Sequence, residues 1–169
     1  MKTMHMICPV GQRAAAVVMP IQAMFEHDRD LAQTPCRFTL LHTGLDDGRI
    51  KKTRDACAAW IERHIPGASI AEPRLFPASA TDVRSLWAGD EALYLNANGG
   101  MNWQIASLAL HLPQETTCIA SDSQRLYRWG LADDIARGAD FPLPDLGLEE
   151  YLLLDDQIMV QQAPGPSKT

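Results

Sequence analysis

Between Leu95 and Trp103 the chain reads Leu-Asn-Ala-Asn-Gly-Gly-Met-Asn-Trp, and residues of these types at this spacing suit the binding of a phosphate or a nucleotide. Asn96 and Asn98 supply two carboxamides, each able to donate and accept hydrogen bonds. Gly99 and Gly100 remove side chains where the backbone of a ligand would come close. A helix starts immediately afterwards, and its unpaired N–H groups and positive dipole end point at the same spot. The segment lacks the Lys-Ser/Thr ending of a Walker A loop and is not GxGxxG. The alternative is a plain helix-capping turn with Asn98 as the N-cap.

Other groups with chemistry are sparse. Arg13 divides evenly between a phosphate contact and a solvated helix face, and His42 between a ligand contact and a hydrogen-bonded structural residue. Asp46-Asp47-Gly48 reads as a solvated turn ahead of a general base or metal ligand, and Asp133-Asp134 is read the same way. Met101 and Trp103 read as cover for the core ahead of stacking on a base. No paired carboxylates, Ser-His-Asp set or metal cluster can be assembled, so the residues favour binding over turnover, with no catalytic residue, metal or cofactor expected.

The elements that must hold these residues follow from hydrophobic periodicity. Met4–Val10 is a first strand, ended by Pro9-Val10-Gly11. Ala14–Phe25 has helical spacing, with Pro20 as a kink or early break. Arg37–His42 is a second strand, followed by a loop to Gly48 and a helix over Ile50–His64 closed by Pro66-Gly67. Ala68–Phe76 reads as a third, more polar strand, Ala80–Trp87 as a short helix capped by Ser79 or Thr81, Ala92–Leu95 as a buried fourth strand, and Thr116–Ala120 as a fifth. This alternation predicts an α/β fold: a Rossmann-like, open, mainly parallel sheet with helices on both faces. Beyond Ser121, Arg125–Trp129, Tyr151–Leu154 and Gln157–Val160 suggest a small antiparallel extension, with Asp155-Asp156 as a hairpin turn. The expected organisation is a ligand-binding domain over residues 1–130, its extension over 131–162, and a flexible Pro/Gly tail over 163–169. In an open parallel sheet, ligands bind beyond the carboxyl ends of the strands, where strand order reverses. Pro9–Arg13, His42–Gly44 and Asn96–Asn102 are the loops that leave such ends.

Composition narrows the partners. The 169 residues fit one ordinary domain, and 46% hydrophobic with 21% charged residues is the balance of a globular protein. A net charge of −6 argues against broad binding to long nucleic acid, yet leaves room for a small anion in a focused pocket. Cys8, Cys36, Cys57 and Cys118 lack metal-ligand spacing and read as buried free thiols of a reduced compartment. With no signal peptide and no apolar run of ~20 residues, the expectation is a cytoplasmic protein without membrane contact.

Two motifs resemble those of a known family. Ile7-Cys8-Pro9-Val10-Gly11 is similar to the strand-one loop, and Leu95-Asn96-Ala97-Asn98-Gly99-Gly100-Met101-Asn102 to the strand-four pattern Asn-x-Thr-Gly-Gly-Thr-Lys, of CARF domains, CRISPR-associated Rossmann-fold sensors. The likeness is to the N-terminal domain of the DUF1887-type CRISPR accessory nucleases. It covers about the first 130 residues in layout and about a dozen in motif. It implies a homodimeric sensor of cyclic oligoadenylate in type III CRISPR defence, passing its signal to a fused or separate effector nuclease. Asn96, Asn98, Gly99, Gly100, Met101 and Asn102 are then the strand-four contacts, with Pro9, Val10, Gly11, Gln12 and Thr43 in second rank. Against the family pattern, this chain loses two hydroxyls and has Asn102 in place of lysine. The missing charge is typically worth ~1.5–3 kcal/mol of binding. That loss weakens the enzymatic alternative, a metal-independent ring nuclease that cleaves the bound ring. A dimeric scaffold without ligand is the other alternative.

Overall fold

Strand β1 (Met4–Pro9) is buried along its whole length and lies at the centre of the sheet, as an apolar run without alternation requires. The computed structural model describes residues 2–43, 48–122 and 124–133, and the backbone of 139–142. Helix α1 (Ala14–His27) follows β1, and then β2 (Cys36–His42), α2 (Arg49–His64), β3 (Ala68–Ile70), β4 (Arg74–Leu75), α3 (Ala80–Arg84), β5 (Ala92–Asn96), α4 (Asn102–His111), β6 (Thr117–Ser121), β7 (Arg125–Gly130) and β8 (Ala139–Pro142). The sheet runs β3-β2-β1-β5-β6-β7-β8, with β4 also paired to β2. Pairing is parallel from β3 to β6 and antiparallel across β6-β7-β8. The mixed α/β fold expected from the alternation is therefore present.

The two faces separate by strand period. Met4, Met6 and Cys8 of β1 pack with Val17, Val18 and Ile21 of α1 and with Cys57 and Ile61 of α2. Ile7, between them, packs with Val83 of α3 and with Leu108 and Leu112 at α4. Each face thus buries its own pair of helices, and each fully buried aliphatic side chain contributes about 1.5–3 kcal/mol.

Three expectations change. The third strand divides into β3 and β4, which pair with opposite ends of β2, and Pro73 lies in the gap. Proline has no N–H to give to the ladder. Helix α1 continues through Pro20 to His27 without breaking, because Ile21, Ala23 and Met24 beyond it are buried in the core. Met101 and Trp103, expected to cover the core, are 44% and 56% exposed. The Asp46-Asp47 turn, the pieces Tyr151–Leu154 and Gln157–Val160, and the tail lie outside the described residues. Among the described residues no helix is long and apolar enough to cross a membrane.

Candidate functional site

β1 and β5 are parallel neighbours at the centre of the sheet. From β1 the chain moves to β2 on one side, and from β5 to β6 on the other. A crevice must therefore open between their outgoing loops, and this is the place where open α/β sheets bind ligands.

The loops are locked together by the absence of side chains. A Cβ on Gly99 would run into the Pro9 carbonyl and the Val17 side chain, and one on Gly11 into the Gly99 carbonyl. At Gly100 it would lie 2.6 Å from Pro9 Cβ and 3.0 Å from Gln104 Oε1. None of the three has a positive φ, so close approach of backbone, rather than conformational freedom, demands glycine here. The expected room for a ligand at Gly99 is filled by the neighbouring loop.

Both asparagines hold the same framework. Asn96 is fully buried: its Nδ2 donates to Val17 O (2.8 Å) and its Oδ1 accepts from Asn98 N (3.1 Å). Asn98 reaches across to the end of β6, donating from Nδ2 to Ser121 O (2.9 Å) and accepting at Oδ1 from Ser121 N (2.8 Å). Asn98 is not the N-cap of α4. Met101 holds that position, and its N–H donates to Gln104 Oε1 at 2.8 Å.

Around this framework lies a cavity of about 300 Å³. Of the expected contacts, Val10, Gly11, Gln12, Thr43, Asn98, Gly99, Gly100 and Met101 line it. Pro9 is buried beneath the glycines, Asn96 is buried inside the β5 end, and Asn102 is exposed at the start of α4, so these three are off the wall. Arg13, Ala16, Ile50 and Gln104 complete it. Arg13 is the N-cap residue of α1, and Ala16, Ile50 and Gln104 sit in the first turns of α1, α2 and α4. Three helix N-termini therefore face one cavity, and none carries an acidic residue in its first turn. By contrast α3, away from the crevice, has Asp82 in its first turn and Ser79 as cap. The first turns that meet at the cavity contribute no carboxylate of their own, an arrangement that accommodates an anion. The sequence signal for Gln104 was its place three residues after the cap, the capping-box spacing.

A second polar cluster lies near the opposite, amino end of the strands. His5 Nε2 is 2.8 Å from Thr39 Oγ1, and its Nδ1 is 3.0 Å from Glu91 Oε2. This is the hydroxyl–imidazole–carboxylate order of a nucleophilic triad. His5 is completely buried and Thr39 nearly so, so no substrate reaches the hydroxyl. Burial foremost, then the Arg37 charge, pushes the imidazole pKa down.

No family model and no curated protein matches the chain. Among solved structures it is similar to a type III CRISPR defence DNA nuclease activated by cyclic oligoadenylate, with a TM-score of 0.58 at 18% identity. The match covers 91% of this chain and 23% of that one, so the chain spans less than a quarter of that nuclease. At this identity the likeness is one of fold.

Proposed function

We propose that this chain is a CARF-like sensor domain in type III CRISPR defence that binds cyclic oligoadenylate in the β1/β5 crevice. The observation that carries the reading is the convergence of three helix starts, with no acidic residue in their first turns, and of Arg13 on one cavity at the point where strand order reverses. The fold shared with a nuclease that cyclic oligoadenylate activates supports the same ligand class. About 300 Å³ is at the lower end of small-molecule sites, too little for a ring of several nucleotides. Two copies about a two-fold axis would complete the site, matching the symmetry of the ring to that of the dimer.

Helix α4 supplies a face for that pairing. Trp103, Ala106 and Leu110 are exposed at helical spacing, next to Met101 on the cavity wall, and α4 contains no Asp, Glu, Lys or Arg. An uncharged face can meet its own copy without like-charge repulsion. Ligand binding then shifts the relative placement of the two copies, which an effector nuclease, fused or separate, reads out. Titration calorimetry with cyclic tri-, tetra- and hexa-adenylate tests the proposal: the expected result is saturable binding of one ring per two chains. Absence of heat with all three rings, on folded protein, overturns it.

A further inference from the structure

Buried polar side-chain atoms almost always have a partner, so each exception asks for a reason. Five such atoms are unpartnered among the described residues, and two of them, Thr43 Oγ1 and Gln104 Nε2, belong to residues on the wall of the crevice. Gln104 is 1% exposed. Its amide orientation is set by chemistry: Oε1 accepts the Met101 N–H at 2.8 Å, and the flipped amide would bring two donors together. The nitrogen is therefore the atom left without a partner.

Both of these atoms can donate. Arg13 adds a guanidinium to the same wall, and the Asn98 carboxamide is already committed to Ser121. Two unused donors beside a guanidinium favour a ligand oxygen with lone pairs to share. Gly100 and half-exposed Met101 lie next to Gln104 on this wall.

We infer that Thr43 and Gln104 are specificity-determining donors for a phosphate group, acting beside Arg13 on the same wall. The inference rests on the crevice being the ligand site. It assigns recognition there to the phosphate and to two residues whose bonding capacity the folded chain leaves unused.

The test uses the full chain, with Thr43→Val, Gln104→Glu and Gln104→Met, titrated with adenosine 5′-monophosphate, adenosine and cyclic tetra-adenylate, alongside thermal melts. Thr43→Val removes an unpartnered hydroxyl, so it leaves the melting temperature unchanged or higher while weakening the phosphate-bearing ligands about tenfold or more. Gln104→Glu keeps an acceptor for the Met101 N–H but turns the donor into an anion, and binding falls about a hundredfold or beyond detection. Gln104→Met, uncharged, replaces it should the carboxylate prevent folding. Adenosine is expected to bind far more weakly than its monophosphate.

If folded Thr43→Val and either Gln104 variant bind as the wild type does, or if adenosine and its monophosphate bind equally, the inference is overturned. Should the monophosphate bind, with the variant losses, while no cyclic ring does, the inference stands and the cyclic-ligand reading fails. Should the ring bind equally to all variants, the reading stands and the inference fails. Binding of neither ligand overturns both.

Discussion

Gly99 is the residue on which the crevice geometry turns, because its missing side chain lets the β5 loop lie against Pro9 and Val17. Gly99→Ala is expected to destabilise the fold by about 1–3 kcal/mol through overpacking, read as a lower urea midpoint. Gly89 also has no positive φ, and a Cβ there meets nothing within 4 Å, so Gly89→Ala is the control and should be neutral or slightly stabilising. An equal effect at both positions would show that the loops can part without cost. At this scale the sequence revealed that a special turn exists, since Asn-x-Asn-Gly-Gly has few other uses. It did not reveal that the amides of Asn96 and Asn98 face inward, to Val17 and Ser121, because those partners come from residues 79 and 23 positions away. The thiols were legible: Cys8, Cys36, Cys57 and Cys118 are buried and unpaired, and burial pushes Cys36 and Cys118 to about 11 and Cys57 to about 12.

At the scale of elements, one polar cluster ties β1, β2 and the approach to β5 together on the α3 side of the sheet. Glu91 Oε2 accepts from Arg37 Nη2 (3.1 Å) and Ala88 N (2.9 Å) and lies 3.0 Å from His5 Nδ1. Arg37 and Arg74 lower the imidazole pKa further and Glu91 opposes them, but burial is the leading cause, and the folded value is below 6.5. An unfolded histidine titrates near 6.5, so between that pH and the lower folded value only the unfolded chain takes up the proton. Stability therefore falls as the pH drops below 6.5, by at most about 1.4 kcal/mol per unit from this group. Urea unfolding at pH 7.5 and 5.5 should show this loss, and His5→Gln should make it smaller; an identical loss in both proteins would mean that His5 does not carry it. Elements with clear periods were legible, as were α1, α2 and the Ser79 cap of α3. The division of the third strand was not, because which end of β2 each piece joins depends on pairing rather than on local propensity.

The whole molecule adds what alternation of strands and helices cannot specify, the order of the strands. Several doubly wound topologies share this alternation, and only the adjacency of β1 and β5 brings the Gly11 and Gly99 loops to a single crevice. That crevice is small, open and bordered by the exposed face of α4, where Leu110 is 78% exposed and Trp103 lies edge-on to Phe76 at 5.1 Å. Under the proposed function, an apolar face beside a crevice too small for the ring is a reason for a second copy. Light scattering at tens of micromolar is expected to give the mass of a dimer before any ligand is added. On the proposed pairing through α4, Leu110→Glu puts a carboxylate into the interface from each copy, so the variant should be monomeric with unchanged circular dichroism, and its affinity for the ring should fall. A wild type that is monomeric with and without the ring removes the dimer mechanism. A Leu110→Glu protein that remains dimeric and binds normally moves the interface away from α4 while leaving the crevice in place.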